Sequence, residues 1–536
     1  MSAVIATPPA PSNAAVVRKP SELTDLQKIL AFATMGVGFF IALLDIQIVS
    51  ASLADIGGGL SASPDEVAWV QTSYLIAEIL VIPLSGFLSR VLSTHWLFCV
   101  SAIGFTATSL LCGWAWDIRS MIVFRALQGF LGGSMIPTVF TTAFAFFPGK
   151  KVVAAAATLG ALASLAPTLG PTVGGWITDN YSWHWLFFVN LVPGVFVAIV
   201  VPVMVRIDAP DFSLLKGADY LGIALMAIFL GCLEYTLEEG PRWNWMEDET
   251  IRATAWITTI SGVGFVWRSL TFKQPVVDLT AFTSRNFTLG CFFSFVTGMG
   301  MFATIYLTPL FLGRVRGFSA LEIGEAIFST GVFQIMAIPV YAVLARKFDL
   351  RWIMMFGLGL FGASMLAFTS ITHDWSAGEL LVPQAMRGFA QQFCVAPTVT
   401  LTLGGLKPEK LKLASGLFNL MRNLGGAIGI AGCGTVMNDR ANLHFLRLAE
   451  HLTPANAAMT ELNRRVVAHN SAVFGDAAHA RAAALKQLWS ITWSEAQTLT
   501  YSDAFLLVGL CFAVATATVP LMRKVAPPKG PSTDAH

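Results

Sequence analysis

Fourteen separate stretches of this chain are apolar over lengths near the roughly 20 helical residues that cross the hydrocarbon core of a bilayer. They run over 29–53, 67–89, 95–114, 118–146, 152–178, 183–205, 218–238, 251–271, 287–312, 320–345, 351–371, 379–404, 413–437 and 502–522. In lipid every backbone N–H and C=O must be satisfied by the chain itself, so runs of this length fold as helices. Barrel strands would be shorter and would alternate in polarity. The sequence therefore predicts an all-α polytopic membrane protein with fourteen transmembrane helices. Composition agrees: 55% of the 536 residues are hydrophobic and 12% charged, where an average soluble protein gives about a quarter to charge. A net charge of +2 with no basic patch interleaved with aromatics excludes nucleic acid as a partner. No small-residue cleavage site follows the first run, which is read as a retained helix.

Loop charges orient these spans. With a cytoplasmic N-terminus, the inner segments collect Arg90, Lys150, Lys151, Arg206, Lys216, Lys273, Arg285, Arg346, Lys347, Arg351, Lys407, Lys410, Lys412, Arg523, Lys524 and Lys529. The short outer loops hold Arg119, Arg242, Arg314 and Arg316. The excess of inner cations places both termini in the cytoplasm. The chain also repeats itself. LSRVLSTHW ends at Trp96 and LARKFDLRW at Trp352, an offset of 256, and the GF of QGFLGGSMIPTV and RGFAQQFCVAPTV recurs at an offset of 259. Eight spans fit within one offset, an even number, so corresponding helices run the same way and the halves are parallel repeats around a central cavity. The organisation read from this is a cytoplasmic segment 1–28, a six-helix bundle 29–205, a linker 206–286 with two inserted helices, a second six-helix bundle 287–522, and a tail 523–536. The second bundle includes a polar outer stretch, 438–501, whose leucines and alanines recur at helical spacing and predict amphipathic helices.

A charge at mid-membrane costs several kcal/mol and asks for a partner or a purpose. Asp45, Glu78, Arg125, Glu234, Arg387 and Arg422 all fall within spans. Gln71, Tyr74 and Glu78 stand at i, i+3 and i+7 on one helix face. Gln384, Arg387 and Gln391 repeat that spacing, and Arg125 with Gln128 begins a similar stripe. Stripes of this kind are expected to face a cavity, which makes Gln71, Tyr74, Gln128, Arg387 and Gln391 candidate substrate contacts; Arg422, in LMRNLGG, is a further candidate that either meets substrate or ties helices together. Asp45, Glu78, Arg125 and Glu234 are the candidates for handling a proton: a carboxylate loads and releases it, and an arginine beside it biases that step by its field. Glu322 and Glu325 sit near a helix end and are read as hydrated. In LAPTLGPTVGG, Gly170 and Gly174 give a small-xxx-small face, while Pro167 and Pro171 each remove a backbone donor. A bent, side-chain-poor helix of this design suits a surface on which two halves rock.

LLDIQIVSASL (43–53), WVQTSYLIAEILVIPLSG (69–86), FRALQG (124–129), LGPTVGG (169–175), WHWLFFVNLVPG (183–194), PVVDLTAFTSRNFTLGC (275–291) and LFNLMRNLGGAIGIAG (417–432) occur in that order. Together they resemble the fourteen-span drug:proton antiporters of the major facilitator superfamily, in particular EmrB-type pumps of the Gram-negative inner membrane, over nearly the whole chain. The resemblance implies the major facilitator fold, with two six-helix bundles plus two inserted helices. It also implies multidrug efflux, the export of amphipathic toxic compounds in exchange for protons, with a periplasmic adaptor and an outer-membrane channel as partners. It makes the segment with Pro167, Gly170, Pro171, Gly174 and Gly175 the antiporter motif, Asp45 the coupling carboxylate and Arg125 its companion. One motif departs from the pattern: GFLSRVLSTH puts Arg90 and Ser93 where the superfamily's first inner loop carries an acid and a glycine. The second copy keeps Asp349 with Arg351, and gating contacts are expected there. An exporter dedicated to one solute, such as a fatty acid, siderophore or aromatic acid, would use the same framework. No Walker loop, HExxH or ligand-spaced histidine set is present, so neither an enzyme nor a cofactor or metal requirement is expected. The seven cysteines fall inside apolar runs and are read as buried free thiols.

Overall fold

The computed structural model describes residues 23–147, 151–204, 208–406, 408–452, 457–474 and 477–524. Arg18, Lys19, Lys150, Arg206, Lys407 and Lys529, with most of the two terminal segments, lie outside the described residues. The described chain forms α1 (Asp25–Ala51), the short α2 (Leu53–Gly59), α3 (Pro64–Val91), α4 (Thr94–Gly113), α5 (Ile118–Phe146), α6 (Lys151–Asn180), the one-turn α7 (Trp185–Phe188) and α8 (Leu191–Met204). There follow α9 (Tyr220–Glu239), α10 (Glu249–Thr271), α11 (Arg285–Arg314), α12 (Ala320–Lys347), α13 (Leu350–Phe368), α14 (Ala377–Leu403), α15 (Pro408–Ala449), α16 (Ala457–Phe474) and α17 (Ala477–Thr518). Several starts are capped as their sequences direct. Thr24, Ser63 and Ser319 each accept a bond from the backbone N–H three residues on, and Gln27, Glu66 and Glu322 return one, closing capping boxes at α1, α3 and α12. Glu322 and Glu325 are exposed.

Eleven of the described helices are long and apolar enough to cross a membrane. Three more long helices, α10, α14 and α15, lie in the same bundle but are more polar. In α14 the reason is visible: Gln384, Arg387, Gln391, Gln392, Thr398, Thr400 and Thr402 are all buried, so its polar atoms face protein rather than lipid. In α10 the hydroxyls of Thr254, Thr259 and Ser261 donate to carbonyls of the preceding turn, which satisfies each donor within the helix. The boundaries read from hydropathy need one correction. The runs at 413–437 and 502–522 are parts of far longer helices, because α15 continues outward to Ala449 and α17 begins at Ala477. The polar stretch 438–501 is therefore an extension of two membrane helices with α16 laid against α17. Of the cysteines, five are buried, whereas Cys232 and Cys511 are half-buried, since not every apolar run faces the interior.

Helix pairing repeats between the halves. In the first, α1 packs on α6 and α8, and α5 on α3 and α4, with α4 also on α8; in the second, α11 packs on α15 and α17, and α14 on α12 and α13, with α13 also on α17. The halves meet along two seams, α6 against α12 and α14, and α3 against α15. The pair α9–α10 docks outside the second seam, with α9 on α3 and α15. The end of the bundle at which α1 starts is termed the inner end.

Candidate functional site

Asp45 lies in the last third of α1 and is fully buried. Its Oδ2 takes a bond from Arg125 Nη1 at 2.6 Å, and its Oδ1 takes one from Gln128 Nε2 at 3.1 Å and one from Asn190 Nδ2 at 2.6 Å. Arg125 also donates through Nη1 to Gln128 Oε1 at 2.7 Å and through Nε to the carbonyl of Val70 at 3.2 Å. Its guanidinium lies 4.2 Å from the ring centroid of Tyr74, whose hydroxyl donates to the carbonyl of Ala42. Asn190 is steadied in turn by Ser109, 3.1 Å away. α1, α3, α4, α5 and the α7–α8 corner thus all contribute to one fully buried ion pair. Removing either partner of such a pair strands the other charge, at a cost of about 3–5 kcal/mol. Both carboxylate oxygens accept from donors, three bonds in all, while Arg125 Nη2 has no partner among the described residues, so spare hydrogen-bonding capacity remains on the basic side.

Glu78 is buried one turn along α3 from Tyr74 and faces the other half, where Asn423 of α15 hydrogen-bonds its carboxyl; Oε1 is left unpartnered. Glu234 of α9 is buried with Oε2 unpartnered. Tyr74 and Gln128, read from their stripes as cavity-lining, instead belong to the Asp45 cluster, because aromatic face and amide are used up by Arg125. Gln71 is half-buried with Oε1 unpartnered. Arg387 packs inside the second half: Nη2 donates to Thr330 Oγ1 at 2.8 Å, while Nε and Nη1 are unpartnered, as is Gln391 Oε1. Arg422 lies at the seam over Phe140 of α5 and Phe418, 5.9 and 5.5 Å from their centroids. Neither arginine forms an ion pair among the described residues.

The LGPTVGG segment sits in α6, with Pro167 and Pro171 inside the helix. Gly170 packs on Gln47 of α1, and a Cβ on Gly174 would lie 2.7 Å from the carbonyl oxygen of Ile48. Gly175 offers its carbonyl to Thr178. The opposite face of α6 touches the other half, where Thr172 Oγ1 donates to the carbonyl of Gly324 at 3.0 Å and Gln334 Nε2 to that of Ala161 at 3.3 Å. One helix thus bears on the turn of α1 that follows Asp45 and on the partner half.

At the inner end the two loop copies differ. Asp349 caps α13 by accepting from Arg351 N, and Arg351 Nη2 sits 2.8 Å from its Oδ2; this pairing holds the Asp349 carboxyl below the usual range. Arg351 Nη1 also donates to the carbonyl of Met522, so these contacts stay within the second half. In the first copy Asp208 supplies the missing acid. Thr94 N donates to both of its oxygens at 3.0 Å, Lys412 of α15 pairs with it, and Lys412 Nζ donates to the carbonyl of Ser89 at 3.3 Å. This contact crosses from one half to the other at the inner end. An outer cavity of about 770 Å³ lies between α9, α11, α15 and α17, with Glu238, Arg242, Tyr306, Arg314, Asn438 and Tyr501 in its lining.

Asn190, Ser109, Asn423, Asp208, Lys412 and Glu238 are the residues that sequence reasoning passed over. Asn190 in FFVNLVPG and Asn423 beside Arg422 are amides in apolar runs, a far weaker signal there than a charge; Asp208, in a polar loop, carried no signal at all.

Comparison with known proteins agrees with this architecture. The model of the Major Facilitator Superfamily matches residues 35–430 and 290–527. The colistin resistance protein EmrB of Acinetobacter baumannii is 38% identical over 491 residues, 91% of this chain and 95% of that protein. The fatty acid resistance protein FarB of Neisseria gonorrhoeae is 32% identical over 81% of this chain and 85% of its own length. The multidrug export protein EmrB of Escherichia coli is 30% identical over 82% and 86%. Among solved structures, the proton:xylose symporter XylE aligns with a TM-score of 0.56 at 12% identity, covering 92% of this chain and 96% of that one. The two halves, the inserted pair and the relatives' extent leave one assignment: the chain belongs to the Major Facilitator Superfamily, as a multi-pass membrane transporter.

Proposed function

We propose that the protein exports amphipathic toxic compounds in exchange for protons, by alternating access between its two halves. The observation that carries this reading is the Asp45–Arg125 pair, which is wholly buried and wired by α1 to the α6 seam. A proton arriving at Asp45 neutralises the carboxylate and weakens its hold on Arg125, Gln128 and Asn190; α1 and α6 then shift together, and the seams with the second half rearrange. Loss of the proton restores the pair. The names of the relatives, a multidrug export protein and two resistance proteins, support export as the direction. On this reading the inner end faces the cytoplasm of a Gram-negative cell, both termini are cytoplasmic, and the α15–α16–α17 extension stands in the periplasm. There it meets an adaptor that leads to an outer-membrane channel. The test is reconstitution in proteoliposomes with ethidium as a cationic probe and decanoate as an acidic one, under an imposed pH gradient. Accumulation that follows the gradient and collapses with it supports antiport, and accumulation indifferent to the gradient refutes it.

A second reading has its own observation. Arg387 and Arg422 are buried without an acid partner among the described residues, and desolvated guanidinium groups favour a carboxylate. An exporter dedicated to an amphipathic acid would use them, and transport of decanoate with rejection of ethidium would select that reading.

A further inference from the structure

Proton antiport needs a path from outer water to the coupling centre, yet Asp45 is sealed inside the first half. We infer that the inserted helix α9 supplies this path, with Glu238 as its mouth in the outer cavity, Glu234 one turn deeper, and Glu78 as the acceptor at the seam between the halves. The inference rests on the antiport reading above.

The placement carries it. Glu238 is half-buried and lines the 770 Å³ outer cavity, so it meets water. Glu234, at i−4, lies on the same face of α9, one turn toward the membrane centre. It is buried, its Oε2 has no partner, and the charges of both Glu238 and Glu78 bear on it. Glu78 likewise keeps a free oxygen, and the charges of Arg125 and Asp45 bear on it in turn. Ser73 Oγ and Gln71 Oε1 on α3 add buried atoms without partners nearby in the chain. Unsatisfied buried polar atoms in such a row are what water-assisted proton transfer requires. The stacking of Tyr235 on Trp69, 5.5 Å between centroids, fixes α9 against α3.

The other groups around the row fit the role. Glu239 is engaged by Trp243 Nε1, with Arg242 3.8 Å away, and so stays out of the path. Arg314 and Tyr306 of α11 and Tyr501 of α17 share the cavity with Glu238. α10 presents Thr254 to Thr236 and has its charged residues, Glu249, Arg252 and Arg268, near its ends, with Arg268 on Asp219. α15 offers Asn423 to Glu78 and turns Arg422 to Phe140 and Phe418. A proton taken from outer water by the Glu238 carboxylate passes to Glu234 and then to Glu78, each donor returning to the charged form as the next is neutralised.

The test uses ethidium-driven proton exchange in proteoliposomes holding the full chain, beside ethidium–ethidium counterflow, which needs no net proton movement. Glu234→Gln is expected to slow the coupled exchange by about tenfold or more with counterflow within about twofold of wild type; Glu238→Gln is expected to slow it less, most at high outer pH. Equal slowing of both reactions would mean a packing role and overturn the route. Wild-type coupled rates in both variants would also overturn it while leaving antiport standing. A wild-type protein without proton coupling would sink the antiport reading itself. If Glu234→Gln does not fold, Glu238→Gln, at the half-exposed mouth, decides.

Discussion

Asp45 is a fully buried carboxylate held by one arginine and two amides, and the two kinds of partner have different jobs. Arg125 supplies the countercharge, whereas Gln128 and Asn190 aim the carboxylate. Asn190→Leu keeps the branched shape, though not the size, and removes a donor to a buried charge, a loss of about 1.5–3 kcal/mol. It is expected to lower the melting temperature of purified protein and to slow transport, with Asn190→Asp failing more severely because a second carboxylate would face the first. The family resemblance implied the pairing of Asp45 with Arg125, and each of the two was legible in the sequence because charges in apolar runs announce themselves. Asn190 was not, since a lone amide costs far less in a span and so stands out less. Asp208 escaped for the opposite reason: an acid in a polar loop is ordinary until the fold brings Thr94 and Lys412 to it.

On the proposed mechanism, what happens at that residue reaches the rest of the molecule through α6 and through the seams between the halves. α6 touches α1 through Gly170 and Gly174 and the second half through Thr172, so Gly174→Leu would drive its side chain into the Ile48 carbonyl and is expected to abolish transport. Ethidium flux with normal surface expression checks this. At the inner end, the Asp208–Lys412 contact favours the closed seam. Asp208→Asn is expected to raise maleimide labelling of a Ser415→Cys reporter about tenfold, the equivalent of about 1.4 kcal/mol. Ser415 is fully buried beside Thr141, 3.0 Å between hydroxyls, so its labelling reports opening. Asp349 makes a contrasting case. Its carboxyl is held below the usual range by Arg351, so its contribution is complete above about pH 4 and fades only as pH falls through the lowered value. Asp349→Asn should therefore lower the melting temperature equally at pH 6 and pH 8. Helix existence was readable throughout because apolar length is a strong signal. The ends of α15 and α17 were not, since hydropathy changes at 437 and 502 while helical periodicity continues.

At the scale of the whole molecule, the second half extends past the membrane. α15 has 42 residues, about 63 Å of helix, roughly twice the 30 Å of a hydrocarbon core. Its outer part pairs with α17 through Phe445, Trp489 and Trp493 and through His444 on Asp503, a stiff projection rather than a loop. Leu446, Leu485 and Trp489 are exposed on it, as a docking surface would be. Replacing residues 441–495 with a short Gly/Ser linker is expected to weaken adaptor co-purification and cellular drug resistance, with exchange in vesicles retained; undiminished co-purification would remove the docking role. The parallel repeat was visible in two short sequence echoes, but the α9–α10 pair gave no hint of where it docks, because lipid-facing helices carry little pairing information. The account as a whole turns on whether the buried pair couples proton to drug. The most direct measurement is proton release recorded beside ethidium flux in vesicles holding wild type or Asp45→Asn. The account predicts coupled exchange in wild type, and in the variant a folded protein that binds ethidium but moves neither drug nor proton against a gradient. Undiminished proton-coupled flux in Asp45→Asn would contradict it.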